Sequence, residues 1–184
     1  EAVNMFYIAW LGDAPLAAIS FTLPVIWFIY GIAMGFEVGA ASVISRAVGR
    51  QDEQLARRLT TDSALLSTLV LGVMCVVGLN TIDPVFRLLG ATPELLPYIH
   101  DYISVWYWVA PADACLWASL AALRARGNAP LEARLITVAA VLNLILDPLL
   151  IFGLLGFPRL EVTGAALATL ISNVSVLVIS LLYM

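Results

Sequence analysis

The sequence predicts an all-α, polytopic integral membrane protein: a bundle of six helices whose first helix is truncated. Composition is the first observation, because 62% of the 184 residues are hydrophobic and only 12% are charged, with a mean hydropathy of +0.98. A soluble domain is about half apolar and a quarter charged. Spacing is the second observation, because apolar runs of about 20 residues, enough to cross a bilayer, recur between short polar segments.

The first helices are defined by turn residues and by charge. Residues 2–11 are apolar but too short to cross alone, so they are expected to be the outer half of a first helix cut at its start. The sequence Gly-Asp-Ala-Pro at 12–15 predicts a turn, and its proline suits the start of a second helix at about 16–44. The arginine-rich residues 45–58 form a polar connection before a third helix at about 59–79.

The rest of the chain continues this alternation of apolar runs and polar connections. Residues 80–97 are expected to form an external connection, and 124–130 and 156–161 are short polar turns. The remaining helices are expected at about 98–123, 131–154 and 162–184. Because the chain opens at Glu1 without a methionine, beside an apolar helix, we interpret it as a part of a longer protein.

Gly31, Gly35 and Gly39 recur every four residues in the second helix and predict a close helix–helix approach along that face.

The arginines predict the orientation in the membrane. All nine basic residues are arginine, and seven of them fall on the side of the connections after the second and fourth helices. The positive-inside rule therefore places these connections and the N-terminus in the cytoplasm, in a multi-pass protein of the inner (cytoplasmic) membrane. The expected partner of the apolar surface is the lipid bilayer. No basic stripe indicates nucleic acid.

An ionisable carboxylate interrupts the fifth helix. Asp147 lies within an apolar run, where a charge costs roughly 2.5–3.5 kcal/mol. Asn143 lies on the same helical face, and Pro148 leaves the carbonyl of Leu144 without its helical donor. These oxygens could hold a proton or a small hard cation such as Na⁺. The alternative is a carboxylate that neighbouring helices stabilise, with no role in turnover.

Three further polar residues are predicted at membrane depth. Helix rise places Asn4 and Asp147 at one level, about 12–14 Å below the outer surface, so they could share a site; Asn4 could equally form an isolated interhelical hydrogen bond. Glu37, about 13 Å from the cytoplasmic edge, either relays protons or lines an inner vestibule, or it reaches water or pairs with an arginine. Asp113 is a third candidate near mid-membrane.

The sequence contains no enzymatic motif of the HExxH, GxSxG, P-loop or dinucleotide type, and neither an enzyme nor a cofactor is expected. Helices with intramembrane acids favour transport.

Six segments carry a family resemblance through their order and spacing: residues 10–12 with 14–18, 31–35 with 38–42, 45–49, 122–128, 143–149 and 163–169. Together they resemble the N-terminal half of a multidrug and toxic compound extrusion (MATE) transporter. The resemblance implies a twelve-helix protein of two six-helix lobes, of which this chain is nearly the first, so a C-terminal lobe is an expected partner. It also implies export of small organic, often cationic, compounds in exchange for H⁺ or Na⁺.

The same resemblance suggests roles for individual residues. Asn143 and Asp147 match the coupling site of the N-terminal lobe, because the pattern Asn-x-x-x-Asp-Pro is intact. Asn4 stands where the family has an acid, and an amide cannot take up a proton, so coupling to H⁺ or to Na⁺ stays open. Tyr102 matches a tyrosine of this pocket, and Glu37 stands where the family usually has a small residue.

Two other hypotheses are a flippase for lipid-linked or amphiphilic substrates, which a wide, laterally open cleft would favour, and a helical membrane module without transport activity.

Overall fold

The computed structural model describes residues 2–156 and 158–183, and this part of the chain is helical without a strand. The helices are α1 (Ala2–Ile8), α2 (Asp13–Gly49), α3 (Glu53–Asn80), α4 (Ile82–Leu88), α5 (Leu96–Ala125), α6 (Ala129–Phe152) and α7 (Glu161–Leu182). A short 3₁₀ turn at Leu154–Gly156 follows α6. The predicted all-α fold is confirmed.

The bundle is organised around α5. This helix packs against α2, α3 and α7, while α6 packs against α7 and α1 lies across α6, α7 and α2. The main core contains large side chains of α5, including the fully buried Tyr102 and Trp106. By length and hydropathy α2, α3, α6 and α7 can each cross a membrane, and many of their apolar side chains face outward. This arrangement is that of a polytopic membrane protein.

The helices extend further than the apolar runs do. α2 continues to Gly49 and α3 begins at Glu53, so most of the polar connection expected at 45–58 is helical. The reason is that polar, charged residues outside the apolar layer still favour a helix until a capping residue ends it. Arg50 is the C-cap of α2, and Asp52 is the N-cap that begins α3, because its side chain accepts a hydrogen bond from the backbone N–H of Leu55 at 2.9 Å.

The expectation that residues 80–97 form only a connection was wrong, because α4 lies within them. Ile82 and Phe86, four residues apart, are both buried against the core, so one face of this short helix is apolar. Pro84 lies in its first turn, where a missing N–H removes no helical hydrogen bond.

The close helix approaches occur at other glycines than the predicted ones. A methyl group at Gly31, Gly35 or Gly39 would meet nothing within 4 Å, so this face makes no close contact within the described chain. At Gly164 on α7, a Cβ would lie 2.6 Å from the backbone oxygen of Leu150 on α6. Gly164 therefore permits the tight packing of α6 on α7, which brings the polar residues of these helices together.

Candidate functional site

Asn143 and Asp147 lie one helical turn apart on α6, and their side chains are hydrogen-bonded. Nδ2 of Asn143 donates to Oδ1 of Asp147 at 3.3 Å and to Oγ1 of Thr169 on α7 at 3.3 Å. Asp147 is completely buried, and Pro148 follows it inside the helix. The structure thus places a buried carboxylate, an amide and a hydroxyl at the junction of α6 and α7.

Asn4 joins this group from α1. Its Nδ2 donates to Oγ1 of Thr169 at 3.1 Å and approaches the carbonyl oxygen of Ala165 at 3.5 Å. Asn4 is 1% exposed, and its Oδ1 accepts no hydrogen bond from any part of the chain that the structure describes. Asn4 and Asp147, predicted to share one depth, are therefore linked through Thr169 and Asn143. The amide oxygen of Asn4 retains its capacity to accept a donor or a cation.

A second buried carboxylate lies on α5. Asp113 is 2% exposed and accepts a hydrogen bond from Nδ2 of Asn173 on α7 at 2.7 Å. The hydroxyl of Tyr30 on α2 also donates to it, at 3.4 Å. Asn173 is four residues after Thr169, so both lie on one face of α7. Asn173 binds Asp113 directly, whereas Thr169 reaches Asp147 only through Asn143.

The third acid, Glu37, belongs to a different group at the arginine-rich end of the lobe. Its Oε1 accepts a hydrogen bond at 2.8 Å from Nη2 of Arg124, a residue in the last turn of α5. Nε of Arg124 also donates to both carboxylate oxygens of Glu132 on α6, at 3.0 and 2.9 Å. Of the alternatives for Glu37, the structure shows the ion pair with an arginine.

Two cavities lie beside these groups. The larger, of about 380 Å³, lies between α2, α5, α6 and α7, and Asn143, Thr169 and Asn173 contribute its polar wall. The smaller, of about 220 Å³, is lined by Trp27, Tyr30, Ala33, Met34, Glu37 and Trp117. Tyr30 and Trp117 line both cavities, so the two form neighbouring parts of one cleft.

Tyr102 is fully buried in the main core on α5 and does not line either cavity. Its assignment to the pocket stays a prediction.

Several residues of this region were not singled out from the sequence. Thr169 and Asn173 had a detectable signal, because polar side chains four residues apart share one face of an apolar helix. Glu132 had none, since an acid in the first turn of a helix ordinarily interacts with the helix dipole.

Comparison with known proteins agrees with this architecture. Residues 1–149 match the family described as MatE. Over 169 residues the chain is 43% identical to a FAD transporter of Shewanella oneidensis, and the matched region covers 92% of this chain and 37% of that protein. Over 184 residues it is 35% identical to the multidrug export protein MepA of Staphylococcus aureus, covering 98% of this chain and 40% of MepA.

Solved structures give the same result. A MOP superfamily transporter from Pyrococcus furiosus superposes with a TM-score of 0.88 at 30% identity, covering 99% of this chain and 39% of that one. An outward-facing multidrug resistance MATE family transporter superposes with a TM-score of 0.87 at 30% identity, and the match covers 98% of this chain and 39% of that transporter chain. The chain spans about 40% of the length of such relatives. This chain belongs to the MATE family.

Proposed function

We propose that this chain forms the N-terminal lobe of a secondary active antiporter, which exports organic, often cationic, compounds across the cytoplasmic membrane in exchange for H⁺ or Na⁺. The observation that carries the proposal is the buried Asp147, which is linked to Asn4 through Asn143 and Thr169. Both linking residues line a cavity of about 380 Å³. Membership of the MATE family favours this function over a lipid flippase and over a module without transport activity.

The mechanism we propose is alternating access. A proton or Na⁺ that binds at Asp147 neutralises its charge and changes how Asn143 divides its hydrogen bonds between Asp147 and Thr169. Because Thr169 also holds Asn4, this change reaches α1 and alters how α1 packs against α6 and α7. Coupling requires that the ion and the exported compound each bind one conformation better than the other.

The charges near the cavities favour a cationic or neutral compound. Among the described residues that line the two cavities, Glu37 alone is charged. Behind the walls lie the carboxylates of Asp113 and Asp147, while Arg124 is already shared between two glutamates. A cation in the cleft would therefore meet a negative potential.

The test is efflux of a fluorescent cationic dye from cells that make the full-length protein, driven by an imposed proton gradient or by a sodium gradient. Asp147→Asn should stop efflux while the protein still reaches the membrane, and the gradient that drives the wild type identifies the ion. Asp62→Asn is the matched control, because Asp62 has a 60% exposed side chain paired with Arg58. Efflux by Asp147→Asn at the wild-type rate would exclude Asp147 as the coupling residue.

A second candidate substrate is FAD, because the Shewanella relative named a FAD transporter is 43% identical to this chain. FAD carries two phosphate charges, and the described cavity walls offer no positive side chain to pair with them. Binding of FAD would then require positive groups elsewhere in the full-length protein. Release of FAD into the medium, compared between cells with and without the protein, separates this candidate from a cation exporter.

A further inference from the structure

The smaller cavity combines aromatic surfaces with one carboxylate. Trp27 and Tyr30 lie edge to face on α2, with ring centroids 6.3 Å apart, and Trp117 of α5 completes the aromatic lining. Glu37, two helical turns after Tyr30, is the acidic group of the cavity. Aromatic faces around a carboxylate match the chemistry of an organic cation, because both the ring quadrupole and the carboxylate attract positive charge.

Arg124 can release Glu37 without losing its own counter-charge. Nε of Arg124 contacts both oxygens of Glu132, and its Nη2 contacts Glu132 as well, so this pair is bidentate. Glu37 receives one hydrogen bond from Nη2, and no other from the residues that the structure describes. If that bond opens, Arg124 keeps a complete carboxylate partner and remains neutralised.

Glu37, in contrast, needs a cation in that position. Its side chain is only 12% exposed, and a buried carboxylate without a counter-charge is costly. Two carboxylates against one guanidinium leave the group of Glu37, Arg124 and Glu132 with one excess negative charge. A monocation that enters the cavity would neutralise it.

We propose that Glu37 recognises the positive charge of an organic monocation held against Trp27, Tyr30 and Trp117, and that the bound cation takes the place of Arg124 at this carboxylate. The inference rests on the proposed export function and names the residue that selects the charge of the exported compound. Binding then releases the contact between α2 and α5 at the arginine-rich end of the lobe, because Arg124 retains only Glu132.

The experiment compares two flat ligands of nearly equal size on the purified full-length protein: N-methylphenylpyridinium, a monocation, and phenylpyridine, its neutral parent at alkaline pH. Glu37→Gln should weaken binding of the cation by about tenfold, because the cation loses its charge–charge attraction to the carboxylate, and should leave phenylpyridine within about twofold. Glu37→Asp, which keeps the charge, should retain the preference for the cation.

Exchange with Arg124 is tested by a double-mutant cycle. Arg124→Gln should strengthen binding of the cation when Glu37 is present and leave it unchanged in the Glu37→Gln background. An equal gain in both backgrounds would show that only the net charge matters, and it would overturn the exchange. Should Arg124→Gln not fold, the comparison of Glu37→Gln with Glu37→Asp still decides whether Glu37 recognises the cation.

Equal binding of the cation to wild type and Glu37→Gln would overturn the proposal. This result is also expected if another part of the full-length protein covers the cavity. If the wild type transports the cation although Glu37→Gln binds it equally well, the proposed export function stands and only the role of Glu37 is overturned. A wild type that neither binds nor exports the cation would overturn both.

Discussion

Asn4 on α1 and Thr169 on α7 are joined by a hydrogen bond of 3.1 Å, across 165 residues of sequence. The same hydroxyl oxygen accepts a hydrogen bond from Asn143, which holds Asp147, and donates to the carbonyl of Ala165. Thr169 thus connects the first helix of the lobe to its most buried carboxylate. A movement of α1 and a change in the charge of Asp147 both act on this one side chain.

The first prediction concerns that connection. Thr169→Val keeps the shape of the side chain but removes the acceptor shared by Asn4 and Asn143. We expect a loss of about 1–3 kcal/mol of stability and of most ion-driven efflux, because two buried amides lose an acceptor. The measurements are the melting temperature of the purified full-length protein and dye efflux from cells.

Thr163→Val is the matched control on the same helix. Within the described part of the chain, the hydroxyl of Thr163 makes one exposed, long hydrogen bond of 3.4 Å, to the backbone of Asp101. Its loss should therefore change stability by less than about 0.5 kcal/mol. If both variants behave alike, Thr169 does not connect the helices in the way described.

The sequence allowed prediction of those parts of the site that depend on local geometry. Asn143 and Asp147 are four residues apart on an apolar helix, and this spacing alone places them together. The same spacing marks Thr169 and Asn173 as one polar face, but it does not assign the partners of Thr169, because a threonine in a helix usually bonds the carbonyl four residues earlier. It does so here, to Ala165, and also accepts from two other helices.

The partners of Glu37 and Asp113 depend on tertiary packing. Arg124 lies 87 residues after Glu37, and the sequence left open whether Glu37 pairs with an arginine or relays protons. The short helix α4 was missed for a related reason: seven residues are too few for a helical period to stand out, and burial of Ile82 and Phe86 against the core stabilises it.

The second prediction separates the charge of Asp113 from its hydrogen bonds. Asp113→Ala removes both acceptors, leaving Nδ2 of Asn173 without the partner that it contacts at 2.7 Å, and should cost about 1–3 kcal/mol. Asp113→Asn keeps an oxygen for Asn173 and should melt close to the wild type. If Asp113 relays protons, Asp113→Asn should abolish proton-driven efflux even though the protein remains stable. Unchanged efflux would limit Asp113 to a structural role.

The third prediction tests the tight packing of α6 on α7. Gly164→Ala places a methyl group 2.6 Å from the backbone oxygen of Leu150, and a backbone atom cannot rotate away. We expect a lower melting temperature, from a loss of about 1–3 kcal/mol, and weaker efflux, because α7 carries Thr169. Gly72→Ala on α3 meets nothing within 4 Å and should not destabilise the protein. Equal melting temperatures for the two variants would contradict the packing described.

The fourth prediction concerns the charge of the site that contains Asp147. Asn4→Asp places a second carboxylate next to Thr169, and two acids attract a proton or Na⁺ more strongly than one. The concentration of coupling ion that gives half-maximal dye efflux should therefore fall by about tenfold or more.

Asn128→Asp is the control, because Asn128 is an exposed N-cap residue of α6, where aspartate is equally suitable. It adds the same charge outside the site and should leave the ion dependence unchanged. If Asn4→Asp leaves it unchanged as well, or if both variants shift it equally, the coupling ion does not bind between α1, α6 and α7.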